Sequence, residues 1–167
     1  MKLLTTILLA SLAALAVQPV VLSLWVVLPL ILAGGDMTWS ALGPIFLASI
    51  LFAAPFVLLL GVPLSLILWH AGRLRWWPLA VAGGVAGALF VGWNIPGGDS
   101  GYSSGGNWYG TYVDFVVAGK PTLHGWLSYL QSVLAFALHG VVGASAYYAV
   151  WLLRRGNSIR PKLRHST

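Results

Sequence analysis

The chain has 167 residues, of which 59% are hydrophobic and only 7% are charged. A soluble domain carries about 25% charged residues, so this chain has too little charge to face water on all sides, and we predict a single integral membrane domain. The net charge of +6 does not indicate nucleic-acid binding, because the basic residues flank apolar runs. The absence of cysteine excludes disulfides, thiolate metal sites and thiol redox chemistry.

Four apolar runs predict an all-α integral membrane protein with four transmembrane helices in a bundle. A helix needs about 20 apolar residues to cross the hydrocarbon layer. The third run is close to this minimum and the other three exceed it, which favours tilted or kinked helices. The predicted spans cover residues 3–33, 41–69, 78–93 and 123–153, the long loop covers 94–122, and a basic tail, predicted to be disordered, covers 154–167.

The first run also resembles a secretory signal peptide, because Lys2 precedes an apolar stretch that ends in Ala14 and Ala16. Apolar sequence resumes at once, so we expect the segment to remain as a span. With a cytoplasmic N-terminus, every Lys and Arg except Lys120 lies inside, and all three Asp lie outside. The positive-inside rule therefore predicts a bacterial-type inner-membrane protein with both termini cytoplasmic and the long loop periplasmic.

Prolines and small residues indicate how the spans pack. Prolines remove backbone donors and predict kinks in the first two spans, at Pro19, Pro29, Pro44, Pro55 and Pro63. Small residues four apart on one face of the third span predict a seam of close helix packing within the bundle. They are Ala80, Gly84, Ala88 and Gly92, with Gly83 and Gly87, and the fourth span continues the pattern with Gly140, Gly143 and Ala144.

The long loop divides into two parts. Residues 96–107 are rich in Gly and Ser and predict a flexible turn segment. Trp108, Tyr112, Phe115 and Val116 then follow at helical spacing, which predicts a short interfacial helix with its aromatic face toward the membrane. Its predicted ends are an N-cap at Asn107 and a C-terminal glycine at Gly119, and Thr122 is the predicted N-cap of the fourth span.

The predicted binding residues lie in this loop or directly after it, and they are Trp108, Tyr109, Tyr112, Asp114, Lys120 and His124. Loops rich in Tyr, Trp, Ser, Gly and Asn make adaptable contact surfaces. We therefore expect a non-enzymatic role, as an accessory subunit of an envelope complex or as an immunity or exclusion factor. The expected partners are the lipid bilayer and another envelope protein, with no nucleic acid; the oligomeric state is left open.

No catalytic residue, cofactor or metal is predicted. Asp99, Asp114, His124 and Asp36 could gather at the outer face, and carboxylates with histidine can bind a divalent metal. No two of them show the spacing of paired metal ligands on one helix.

A membrane enzyme is the first alternative. Residues 110–116, Gly-Thr-Tyr-Val-Asp-Phe-Val, resemble the first catalytic segment of lipoprotein signal peptidase. The resemblance implies an aspartic protease that uses Asp114 as one of two carboxylates at the outer membrane face. It covers only a few residues around Asp114. The second motif of that family, an aromatic residue followed by Asn-x-Ala-Asp, has no counterpart before the last span, so this alternative is disfavoured.

His139 supports a second alternative. It lies midway between Trp126 and Trp151, which places it near the bilayer midplane if both mark interfaces. An ionisable residue there suggests a function, such as lining the pore of an oligomeric channel or transporter. The other interpretation is a neutral histidine that hydrogen-bonds across helices, and we predict that it contacts Gln18 or the neighbouring carbonyl of Leu15.

Overall fold

The computed structural model describes residues 2–32 and 38–159. In this part the protein is mostly helical, with four apolar helices that we number α1 to α4. Helix α1 covers 2–32, α2 covers 39–70, α3 is Trp76–Gly92 and α4 is Leu123–Ile159. Three helices among the described residues are long and apolar enough to cross a membrane, and α3 is a shorter apolar helix. The three long spans are Leu3–Leu32, Leu42–His70 and Leu123–Arg154.

Helix α4 corrects one predicted boundary. The tail was expected to leave helical structure at Arg154, where basic and polar residues replace the apolar run, but α4 continues to Ile159. A helix that is already nucleated can extend even through weak helix formers such as Gly156 and Asn157, because each added residue gains one backbone hydrogen bond. The remainder of the predicted tail, 160–167, lies outside the described residues.

Helices α1 and α2 each contain a π-helical turn directly ahead of a proline. In α1 the π-helical segment is Ser23–Val27, and a single residue separates it from Pro29. In α2 it is Val57–Gly61, followed by Pro63 at the same distance. Proline lacks an amide donor, and apolar helices often adjust to the missing hydrogen bond by a local change to π-type bonding. Wide turns thus precede Pro29 and Pro63, whereas the predicted kinks stay a prediction. The full segments are Lys2–Ala16, Gln18–Leu22, Ser23–Val27 and Leu28–Leu32 in α1, and Trp39–Phe56, Val57–Gly61 and Val62–His70 in α2.

The described chain forms two compact units. The first comprises the residues up to Gly83 and from Val141 onward, and the second is Gly84–Gly140. The first unit has a buried cluster at its centre, in which the rings of Tyr147 and Trp151 stack with their centroids 6.4 Å apart. The other members of the cluster are Ala10, Ala14 and Leu79.

A pair of hydroxyl groups is buried beside this cluster. Ser65 is completely buried, and its Oγ lies 2.8 Å from the hydroxyl of Tyr147. The same Oγ donates its single proton to the carbonyl of Val62, 2.8 Å away, so Tyr147 is the donor to Ser65. The bond joins α2 to α4 through groups that would otherwise be unsatisfied in an apolar interior.

The second unit contains a three-stranded antiparallel sheet in the order β1-β2-β3, where an interfacial helix was predicted. The strands are Ser104–Trp108, Thr111–Val117 and Lys120–Pro121. Residues 111–117, Thr-Tyr-Val-Asp-Phe-Val-Val, are β-branched or aromatic at six of seven positions, and such residues favour strands. The predicted helix over 108–118 is therefore wrong, because strand propensity outweighs a spacing of aromatic residues that only resembles a helical period.

Two tight turns connect the strands. Tyr109 and Gly110 have φ of 50° and 88°, and Ala118 and Gly119 have φ of 48° and 77°. Positive φ at both central residues is the signature of the type I′ turn, whose twist matches that of a hairpin. The predicted caps at Asn107 and Gly119 are thus wrong: Asn107 lies in β1, and Gly119 is a turn residue.

The Gly/Ser segment is also ordered differently from the prediction. Ser104 begins β1, and the residues before it are hydrogen-bonded to the second turn. The amide of Gly98 donates to the carbonyl of Gly119 (3.1 Å), and the amide of Gly119 donates to the carbonyl of Tyr102 (2.7 Å). The prediction of turn sequence is therefore wrong for 104–107, which lie in β1, whereas the flexibility of the segment stays a prediction.

Helices α3 and α4 approach closely within the second unit. A Cβ atom on Gly87 would overlap the carbonyl group of Phe136, so only glycine allows this separation of the two backbones. Phe90 packs on Phe136 with ring centroids 5.3 Å apart, and the hydroxyl of Tyr129 donates to the carbonyl of Gly92. The predicted seam is confirmed at Gly87, whereas a Cβ on Gly92 would meet nothing within 4 Å.

Candidate functional site

The tip of the β1–β2 hairpin is fixed to α4 through Gln131. The indole nitrogen of Trp108 donates to the side-chain oxygen of Gln131 (3.3 Å), and the side-chain nitrogen of Gln131 donates to the hydroxyl of Tyr109 (2.9 Å). The Trp108 ring also meets the imidazole of His124 edge-on, with centroids 5.0 Å apart and planes at 83°. One glutamine and one histidine on α4 therefore hold both aromatic residues of the tip in place.

The turn itself presents Tyr109 to solvent in a defined conformation. The side-chain oxygen of Asn107 accepts a hydrogen bond from the amide of Gly110 (2.8 Å), which closes the turn. Tyr109 is 79% exposed although its hydroxyl is bonded to Gln131. Little conformational entropy remains for this side chain to lose when a partner binds.

Tyr112 and Asp114 lie on the outward face of the sheet. Both flank Gly105 of β1: a Cβ there would lie 2.8 Å from the Tyr112 hydroxyl and 3.0 Å from Oδ1 of Asp114. Tyr112 is 73% exposed, and Asp114 is also exposed. Gly105 thus leaves room for a tyrosine and a carboxylate to lie side by side over β1. We call Trp108, Tyr109, Tyr112, Asp114, His124 and Gln131 the aromatic patch.

The opposite face of the sheet is held against the start of α4. A Cβ on Gly125 would overlap the carbonyl group of Phe115, so this glycine lets β2 pack directly on the helix. Thr122 is the N-cap of α4, as predicted, because its Oγ1 accepts the amide of Gly125 (3.2 Å). The same hydroxyl donates to the carbonyl of Asp114 (2.6 Å). The backbone position of Asp114 is therefore set by the first turn of α4.

Lys120 does not join the aromatic patch. It lies in β3 opposite Val117, at the far end of β2 from the Tyr109 turn. The six residue steps from Thr111 to Val117 correspond to roughly 20 Å along a strand. Of the six predicted binding residues, the structure thus places Trp108, Tyr109 and His124 in one network with Gln131, Tyr112 and Asp114 on the outer face of the sheet, and Lys120 apart.

Gln18 and His139, which were predicted to be intramembrane polar residues, belong to different units. Gln18 is 4% exposed, and its side-chain nitrogen donates to the carbonyl of Ala14 (2.9 Å). A Cβ on Gly143 would lie 2.8 Å from that nitrogen, so Gly143 makes room for the amide in the first unit. In the second unit His139 has the ring of Phe136 nearby, with centroids 6.4 Å apart. The contact between Gln18 and His139 stays a prediction.

The part of the chain that the structure describes contains no group of three His, Cys, Asp or Glu side chains placed to hold a metal ion. This covers Asp99, Asp114 and His124. Asp36, the fourth residue considered for such a site, lies outside the described residues.

Gln131 is the residue that sequence reasoning missed. It lies in an apolar helix, 23 residues after Trp108, and no local pattern links the two. Its polarity within α4 was the only available signal. Its role depends on the path of the chain, which brings the third turn of α4 beneath the hairpin tip.

Comparison with known proteins finds no matching family model, no matching curated protein and no matching solved structure. The fold and the aromatic patch therefore have to be interpreted from their own chemistry.

Proposed function

We propose that this chain is a four-span inner-membrane protein whose small sheet binds another envelope protein at the periplasmic face. The observation that carries the proposal is the aromatic patch, in which two highly exposed tyrosines, Tyr109 and Tyr112, are held on a hairpin anchored to a membrane-embedded helix. The suggested roles are an accessory subunit of an envelope complex, or an immunity or exclusion factor directed against a membrane-acting agent.

The fourth span in this proposal is α3. It has 17 residues, which corresponds to about 26 Å of helix, against about 30 Å of hydrocarbon. Tryptophans flank it at both ends, Trp76 and Trp77 at one and Trp93 at the other, as in interfacial aromatic belts. Small mismatches of this size are accommodated by local thinning of the bilayer. A crossing α3 puts the 71–75 turn, with Arg73 and Arg75, and the sheet on opposite sides.

Single-cysteine labelling tests this threading directly, since the natural chain contains no cysteine. Thr111→Cys on the sheet and Ala71→Cys in the turn are both exposed positions. In intact spheroplasts a membrane-impermeant maleimide should label the first and spare the second until the cells are lysed. Equal labelling of both positions before lysis would contradict a crossing α3.

The composition of the patch favours a protein as the partner. Aromatic residues are enriched in the centres of protein interfaces, and Tyr contributes a large contact area with few rotatable bonds. The hairpin is ordered by its turn and by Gln131 before any partner arrives, so binding requires little additional ordering. Asp114 supplies one exposed charge beside the rings, which gives the partner a site for a hydrogen-bond donor or a basic residue.

Crosslinking in native membranes tests the binding role. A specific adduct formed by the wild-type protein should fall at least tenfold in the double variant Tyr109→Ala/Tyr112→Ala. Thr111→Ala is the matched control, because Thr111 is an exposed residue of the same strand that lies outside the patch. An adduct of equal yield in all three proteins would argue against binding through the patch.

Asp114→Asn separates this role from the enzyme alternative. The amide keeps the shape of the side chain and the backbone bond to Thr122, and removes only the carboxylate. A binding protein should lose a part of its affinity, whereas a protease that depends on this carboxylate would lose essentially all activity.

A further inference from the structure

A second site lies in the second unit, on the other side of the sheet from Tyr112 and Asp114. It is an open cleft of about 340 Å³ between the end of α3, the segment that follows it, the sheet and the first turns of α4. Its volume is at the lower end of the range for ligand sites, which begins near 300 Å³. That size suits one compact group, such as a single sugar ring or a glycerol unit.

The cleft combines hydroxyl and amide groups with aromatic rings. Four of the lining side chains form no hydrogen bond to any described residue: Asn94, Tyr102, Ser104 and Ser128. Three aromatic residues line the same cleft, Tyr102, Phe115 and Tyr129. Hydrogen-bonding groups beside aromatic rings suit a ligand that has hydroxyls on its edge and C–H groups on its faces.

Among the residues that the structure describes, no charged side chain lines the cleft. Burying a phosphate or a quaternary ammonium group without a counter-charge is costly. The N-terminus of α4 could attract an anion, but its amide at Gly125, which lies in the wall of the cleft, is already bonded to the hydroxyl of Thr122. The lining therefore favours a neutral ligand.

The position of the cleft favours a lipid. Val91, in the last turn of α3, and Ser128 and Ser132, in the first turns of α4, all line it. These turns stand at the level where two apolar helices end, which is the headgroup level if both helices cross the bilayer. This location depends on the proposed threading but not on the proposed protein partner.

We propose that the cleft binds the neutral, hydroxyl-rich headgroup of a membrane glycolipid. The hydroxyls of Ser104 and Ser128 and the amide of Asn94 bond the hydroxyl groups of the sugar, and the aromatic rings contact its face. The acyl chains remain in the bilayer beside α3 and α4.

Native mass spectrometry of the full-length protein tests the proposal with three lipids of identical acyl chains. They are monogalactosyl diacylglycerol, phosphatidylcholine and phosphatidylglycerol. The galactolipid should bind at least tenfold more tightly than either phospholipid. Equal binding of all three, or tightest binding of phosphatidylglycerol, would overturn the proposal. Methyl β-galactoside distinguishes a free sugar from a lipid: if it binds as tightly as the galactolipid, the lipid assignment is wrong.

Variants locate the site. Ser104→Ala/Ser128→Ala removes two hydroxyls and should weaken galactolipid binding about tenfold. Ser49→Ala is the matched control, because the Ser49 hydroxyl bonds only the carbonyl of Phe46 in its own helix. The Ser49→Ala variant should bind the galactolipid as tightly as the wild type does. Asn94→Ala is a second variant, at an exposed residue, and it should lower the affinity for the galactolipid at least twofold. It keeps the test valid even if the double variant folds poorly. Unchanged affinity in both cleft variants would overturn the proposal.

Discussion

The side chain of Gln131 accepts a hydrogen bond from the Trp108 indole across 3.3 Å. Through this bond a residue in the interior of an apolar helix determines where an aromatic residue of the hairpin lies. The other end of the same amide bonds Tyr109, so the two tip residues depend on one side chain. The order of the proposed binding surface thus originates in α4.

Replacing Gln131 by alanine should loosen the hairpin without unfolding the helix. Two hydrogen bonds are lost, each contributing roughly 0.5–1.5 kcal/mol. Hydrogen exchange measured by mass spectrometry should show faster exchange of the amides of 104–112, by about tenfold. The control is Ser132→Ala, whose hydroxyl bonds only the backbone of its own helix, at Ser128. If the two variants exchange alike, Gln131 does not anchor the hairpin.

The two turn glycines should differ in their tolerance of alanine. A Cβ atom on Gly110 would have no neighbour within 4 Å, so Gly110→Ala should destabilise the protein only through the strain of positive φ, by about 1 kcal/mol. Gly119→Ala adds an overlap, because its Cβ would lie 2.6 Å from the carbonyl oxygen of Gly98. Gly101→Ala, which has neither problem, serves as the control.

The readout for these glycine variants is amide protection across β1 and β2. Gly101→Ala should be protected as well as the wild type. Gly110→Ala should be less protected, and Gly119→Ala should be the least protected of the three. Equal protection in Gly110→Ala and Gly119→Ala would contradict the close approach of the second turn to the Gly98 segment.

The α3–α4 seam predicts a large difference between two glycines of one helix. Gly87→Ala forces a methyl group into the carbonyl of Phe136 and should destabilise the protein by about 1–3 kcal/mol. Gly92→Ala adds a methyl group in open space and should change stability by less than about 0.5 kcal/mol. Unfolding of the purified variants in detergent measures both, and similar stabilities would refute the close contact at Gly87.

The buried hydroxyl pair predicts a similar contrast between neighbouring tyrosines. Tyr147→Phe removes the donor to Ser65 and should cost about 0.5–1.5 kcal/mol, while the ring stack on Trp151 remains. Tyr148 forms no hydrogen bond to a described residue, so Tyr148→Phe should be close to neutral. The same detergent unfolding assay compares the two, and a neutral Tyr147→Phe would show that the pair adds nothing to stability.

The helices were predictable from the sequence because the length of each apolar run is enough to mark its position. The predicted spans 41–69 and 78–93 end within a few residues of α2 and of α3, Trp76–Gly92. The sheet was not predicted. Its turns use Tyr109-Gly110 and Ala118-Gly119, and neither has the Asn or Asp that usually marks a type I′ turn.

Most residues of the candidate site, but not their arrangement, were suggested by the sequence. Trp108, Tyr109 and His124 stood out because they are aromatic residues in a polar loop. Their grouping depends on Gln131, and the separation of Lys120 depends on the length of β2. Both follow from the path of the chain and not from any local pattern.

Site-specific photo-crosslinking asks whether the aromatic patch binds another envelope protein. The photoreactive amino acid p-benzoyl-phenylalanine replaces Tyr109, Tyr112 or, as a control on an exposed side chain of α2, Leu58. If the patch binds a partner, Tyr109 and Tyr112 should both give an adduct with one and the same envelope protein. Leu58 should give none, and Gln131→Ala should reduce the yield from Tyr112. Adducts of equal yield from all three positions, or no protein adduct from either tyrosine position, would contradict binding through the patch.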